Sequence, residues 1–173
     1  SIAAAETIVS HGGQFVVTGR GEARFEEALT ALAKRYPGQV GVKIGFCETR
    51  ARRMYAGSDF LLMPSRFEPC GLSQMYAQRF GSLPIAHRTG GLADTIEDGV
   101  TGLLFGEVTV SSLVAAVRRS LDIYACRERL GAMRRAAMKR PLGWKLAARD
   151  YGAVYERTIQ TAQHLPFAKL KWK

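Results

Sequence analysis

The sequence predicts an α/β fold, a doubly wound parallel sheet followed by extra C-terminal helices, on three observations. Short apolar runs alternate with longer segments of helical pattern. Runs such as Phe60-Leu-Leu-Met63 are apolar throughout, as in strands covered on both faces. Beyond Phe105 only helical patterns remain. Strands separated by helices call for parallel pairing, with the crossing helices on the sheet faces.

The elements follow in order. The first six residues, Ser1-Ile-Ala-Ala-Ala-Glu6, lack the basic start and long apolar stretch of a secretion signal. They read as a helix entered part-way, as in a piece of a longer protein. Residues 14–18 form a strand that ends at Gly19-Arg-Gly21. Residues 22–36 place Phe25, Leu29 and Leu32 on one helical face, and Pro37-Gly38 stops that helix. A strand over 40–46 leads into a helix over 48–56. A strand over 59–63 leads into a helix that opens near Gly71 and ends at Gly81. Residues 83–87 form the next strand, a short helix follows Gly90-Gly91, and 103–105 form a last small strand. Helices are expected over 110–124, 127–139 and 144–162. One domain over 1–162 and a basic tail over 163–173 is the expected organisation.

Composition narrows the function classes. A chain of 173 residues, 47% hydrophobic, is long and apolar enough for a packed core. No run approaches the roughly 18–20 apolar residues of a membrane-spanning helix. Net charge is +10. Ten Lys or Arg between residues 118 and 149 face only Asp122 and Glu128. Leu121, Leu130, Met133 and Met138 lie among them, so the charges read as the solvated face of packed helices. No aromatics are interleaved as a single-strand binder would need, so nucleic acid is not the expected partner. The 3 cysteines, Cys47, Cys70 and Cys126, have no metal-ligand spacing. The 3 histidines, His11, His87 and His164, are scattered. No metal or cofactor is expected. Gly19 and Gly21 lack the third glycine of a dinucleotide loop, because position 24 is Arg.

The richest stretch is Pro64-Ser-Arg-Phe-Glu-Pro-Cys-Gly-Leu-Ser-Gln-Met-Tyr76. It leaves the carboxyl end of a parallel strand, where open α/β sheets bind ligands. The helix opening near Gly71 offers free N–H groups and a partial positive charge to an anion. Glu68 stands beside it. Amides for phosphate and an acid for hydroxyls suit a sugar nucleotide. A second loop, Arg88-Thr-Gly-Gly-Leu-Ala-Asp-Thr95, puts two small residues after the next strand.

These two strings, with Asp98-Gly-Val-Thr-Gly-Leu-Leu-Phe105 and Tyr36-Pro-Gly-Gln-Val-Gly-Val-Lys-Ile-Gly45, closely resemble bacterial glycogen synthases and plant starch synthases. Those are retaining glucosyltransferases of the GT-B fold. The resemblance runs from about Gly12 to about Tyr155. It implies the Rossmann-like C-terminal half of that fold. The implied activity is transfer of glucose from ADP-glucose to the non-reducing end of an α-1,4-glucan. The acceptor would be held by an N-terminal domain not found in this chain. Alone, the 173 residues are expected to bind ADP or ADP-glucose weakly and not to extend glucan. A bacterial cytoplasm is expected ahead of a plastid. Alternatives are a transferase with another nucleotide sugar, or a non-catalytic basic binding module.

The resemblance also implies roles. Glu68 contacts the transferred glucose at the reacting centre. The backbone at Cys70, Gly71 and Leu72 and the loop at Thr89, Gly90 and Gly91 hold sugar and diphosphate. Phe46 aligns with an aromatic, usually Tyr, that stacks on adenine, and Gly19 lies near the nucleotide. Position 76, eight after Glu68, is Tyr rather than the second Glu of wider GT-B families. A paired-carboxylate scheme therefore has no support. Retention is expected from attack on the face the diphosphate leaves.

Overall fold

A computed structural model describes residues 2–164 of the chain. Its described elements are α1 (Ile2–Ser10), β1 (Phe15–Gly19), α2 (Ala23–Arg35), β2 (Val40–Ile44), α3 (Glu48–Gly57), β3 (Phe60–Met63) and α4 (Ser73–Phe80). Then come β4 (Leu83–His87), α5 (Gly90–Thr95), β5 (Leu103–Phe105), α6 (Val110–Ala125), α7 (Arg127–Lys139) and α8 (Trp144–His164). The chain divides into a unit of residues 1–140 and a second unit of residues 141–173. The tail expected over 163–173 lies almost wholly outside the described residues.

All strand pairs are parallel, as the alternating pattern requires. They form two sheets rather than one. β1 pairs with β2, while β3, β4 and β5 form a three-stranded sheet in that order. The helical connection from β2 to β3 carries the chain from one sheet to the other, and among the described residues no ladder joins β1 to β3.

Side-chain alternation builds the larger core. Leu83, Ile85, Leu103 and Phe105 point to one face and pack with Leu113 and Val117 of α6 and Leu130 and Met133 of α7. The alternate residues Ala86 and Leu104 point to the other face, against Leu92 and Ile96. Both faces of β4 are therefore covered, and all five of its residues are buried. α1 serves both sheets: Ala4 joins the larger core, while Ala5 and Val9 join Leu32 and Val40 beneath β1 and β2.

Two expectations change. Phe25 does not share the buried face of Leu32; it is 52% exposed and stacks under the Arg24 guanidinium. The basic residues of α6 and α7 are not a merely solvated face. Arg119 bridges to Asp98 at 3.1 Å, and Arg134 pairs with Asp59 at the foot of β3. Arg79 of α4 reaches the Met138 carbonyl at 2.9 Å, and Arg140 reaches that of Asp94 at 2.7 Å. Several of these cations hold helices to neighbouring loops as well as keeping the surface charged.

In the second unit, α8 exposes Trp144, Tyr151, Val154, Tyr155 and Ile159. Among the described residues no helix is long and apolar enough to cross a membrane.

Candidate active site

Strand adjacency sets the site. Met63 is the register partner of Ala86, so the chain leaves β3 and β4 at neighbouring tips. Both tips point the same way, because the strands are parallel. The β3 tip carries residues 64–72 and the β4 tip carries residues 88–90.

The two loops touch through their backbones. The Gly91 N–H donates to the Glu68 carbonyl at 2.9 Å. A Cβ at Gly90 would overlap that same carbonyl oxygen, and one at Gly91 would overlap the carbonyl of Cys70. Gly90 also has φ +39, which L side chains rarely adopt. The small residues at 90 and 91 therefore let loop meet loop. This changes the part expected of Gly91: its close approach is to residues 68–70, and its N–H is already engaged. The Thr89 hydroxyl makes no capping bond to α5.

Glu68 is half-buried on its loop. Its carboxylate takes part in no ion pair or hydrogen bond among the described residues. Its acceptor oxygens are open. The N–H groups of Cys70, Gly71 and Leu72 likewise meet no acceptor among those residues. They lie just ahead of α4, whose N-terminal dipole favours negative charge. The Cys70 thiol is exposed and only grazes the Gly71 carbonyl at 3.8 Å. Arg66 and Arg88 are exposed on the same two loops and join no ion pair among the described residues. His87 is buried; its Nδ1 lies 3.0 Å from the Ser65 carbonyl and its ring beside Phe105. It fastens the base of the first loop to the β4 tip.

Phe46 and Gly19 stand at the tips of the other sheet. Gly19 is the register partner of Ile44, and the Gly45 N–H donates to the Gly19 carbonyl at 2.7 Å. The Phe46 ring is 83% exposed, so it is no core aromatic. α3, which starts just after it, packs against α4 through Tyr55, whose ring meets Tyr76 and Phe80 at 6.3 and 6.4 Å.

Sequence reasoning missed Gln74 and Thr95, which lie beneath the loops. The available signal was Gln74 and Gln78, two polar residues at i and i+4 flanking Ala77 on the inner face of α4. Among the described residues no group of three or more His, Cys, Asp and Glu is placed to hold a metal. A shallow depression lined by Arg52, Arg53 and Phe80 lies on α3 and α4 and does not include Glu68. The candidate site is instead an open face of strand tips.

A family model described as glycosyl transferases group 1 matches residues 2–139. The chain belongs to this family. The chain is 62% identical to the glycogen synthase of Pseudomonas syringae pv. syringae over 160 residues, 92% of this chain and 33% of that protein. It is 58% identical to the glycogen synthase of Xanthomonas campestris pv. campestris over 158 residues, again 33% of that protein. Among solved structures, the catalytic domain of starch synthase IV from Arabidopsis thaliana, bound to ADP and acarbose, matches with TM-score 0.77. That match is 26% identical and covers 92% of this chain and 37% of that one. The chain thus spans about a third of the length of the curated relatives it matches. The resemblance carried by the Glu68 and Thr89 strings and the parallel α/β fold agree with these matches.

Proposed function

We propose that this glycosyltransferase domain binds ADP-glucose and works in the transfer of its glucose, with retention, to the non-reducing end of an α-1,4-glucan, ADP being the leaving group. One observation carries the reading. An unpartnered Glu68 carboxylate stands on the loop whose open Cys70, Gly71 and Leu72 amides lead into α4, pressed against the Thr89 loop. The family and the high identity to glycogen synthases support the choice of donor.

The roles follow from charge. The amides at 70–72, with Thr89, Gly90 and the Arg66 and Arg88 side chains, take the diphosphate. Gly91 contributes clearance. Phe46 offers its open ring face to the base, and Gly19 borders the nucleotide. As the bond from the anomeric carbon to the diphosphate oxygen breaks, positive charge grows on the sugar and negative charge on the leaving group. A preorganised carboxylate stabilises the first and preorganised N–H dipoles the second. The acceptor hydroxyl attacks from the side the diphosphate leaves, which retains configuration. The donor would be bound on an open face, in contact with water, and water weakens each of these interactions. The 173 residues alone are therefore expected to bind donor without extending glucan. Free thiols and bacterial relatives favour a bacterial cytoplasm.

Titration with ADP, UDP, GDP and ADP-glucose tests the reading. ADP should compete best, and Glu68→Gln should abolish any preference for ADP-glucose over ADP while leaving ADP binding unchanged. Stronger UDP or GDP binding would assign another donor. Salt-steep binding to nucleic acid with no nucleotide preference would replace the transferase reading with that of a basic binding module.

A further inference from the structure

Gln74, the second residue of α4, is fully buried in its first turn beneath the loop just described. Its Nε2 lies 3.0 Å from the Cys70 carbonyl, 2.9 Å from the Gly71 carbonyl and 3.0 Å from the Thr95 hydroxyl. The Thr95 hydroxyl in turn donates to the Gly91 carbonyl. One amide thus ties the first loop to itself and, through Thr95, to the second. Its Oε1 meets no partner, so the side chain is committed to its donor end.

The geometry of the peptide group gives this placement a consequence. In a trans peptide the C=O of one residue and the N–H of the next point in opposite directions. No described peptide here is cis. The Cys70 carbonyl shares its peptide plane with the Gly71 N–H, and the Gly71 carbonyl shares its plane with the Leu72 N–H. Drawing both carbonyls inward onto Gln74 turns both N–H groups outward, away from the protein. Gly71 fits this role twice over. It has φ +71, and a Cβ there would come within 2.5 Å of the Gln74 amide.

We propose that Gln74 is a positioning residue that aims the Gly71 and Leu72 N–H groups at the donor's anionic or hydroxyl oxygens and, through Thr95, fixes the spacing of the two loops. The proposal rests on the reading of residues 70–72 as donor contacts. Gln78 supplies an internal control. It is equally buried one turn further along the same face, and its Nε2 bonds to the Thr95 carbonyl at 2.9 Å, touching neither loop.

The experiment titrates ADP into the wild-type chain, Gln74→Met and Gln78→Met, with a thermal melt of each. Both variants should lower the melting temperature by similar amounts. Gln74→Met should weaken ADP binding at least tenfold, and Gln78→Met less than twofold. Equal ADP affinity in wild type and Gln74→Met overturns the positioning role and leaves the site standing. Equal weakening in both variants also overturns it, because general loosening of α4 then suffices. Failure of the wild type to bind ADP or any other nucleotide sinks the site reading itself. If the Met variants do not fold, Gln74→Asn and Gln78→Asn, one methylene shorter, repeat the comparison with the same expected split.

Discussion

The two sheets of the first unit use similar apolar strands and bury them very differently. β4 is covered on both faces and wholly buried, and its tip loop is pressed against that of β3 by backbone contacts at Gly90 and Gly91. β1 and β2 are covered chiefly on one face. Val16 is 53% exposed and Ile44 39%, and their tips present an open Phe46 ring and Gly19. The difference teaches where rigidity has been placed. The loops expected to meet reacting atoms sit on the packed sheet. The aromatic expected to meet a base sits on the looser one, where stacking tolerates small displacements.

That contrast can be broken or sharpened by substitution. The largest effect should come from Glu68→Gln in a turnover-competent chain carrying this domain. Transfer should fall by about 10²–10³, with folding and ADP binding intact, because the charge that stabilises the developing positive charge on the sugar is lost. Near-normal turnover would remove Glu68 from the chemistry. Next is Gly91→Ala, set against Gly21→Ala near the β1 tip. The first drives a methyl into the Cys70 carbonyl, while the second meets nothing within 4 Å. Urea unfolding should show a loss of about 3 kcal/mol for Gly91→Ala and within about 0.5 kcal/mol for Gly21→Ala. Equal losses would show that the two tips are equally tight. Phe46→Ala should leave stability unchanged, since the ring is already in solvent. Calorimetric titration should show ADP affinity lowered by roughly 1 kcal/mol, about fivefold, as one stacking contact is lost. Cys70→Ser should be the mildest. Its backbone is the proposed contact and its thiol makes only the 3.8 Å approach to Gly71, so ADP affinity should stay within about twofold. A larger loss would bring the side chain into the site.

Much of the fold was legible because local rules governed it. β4, β5 and α7 fall at the expected limits, where apolar runs and helix stops were clear. α4 begins at Ser73, a little after the expected opening near Gly71, because Gly71 adopts φ +71 and Leu72 serves as the cap. β2 ends at Ile44 because Gly45 turns away at φ +109 and leaves Phe46 outside the ladder. Phe25 was misplaced because helical spacing says which residues share a face, and not how far the neighbouring sheet extends beneath that face. Gln74 was missed for a related reason. A glutamine on a helix reads as exposed until the loop carbonyls beneath it are known.

The residue order alone determined the run of strands and helices, the parallel sense of the pairing and the loop that carries Glu68. These follow from hydrophobic period, glycine and proline stops, and the short reach of a turn. Only the tertiary structure decided that the sheet divides in two and that Gly91 gives its N–H to Glu68. It likewise decided that Gln74 turns two peptide planes outward. Those features depend on groups distant in the chain meeting at hydrogen-bonding distance, and local propensity carries no information about such meetings.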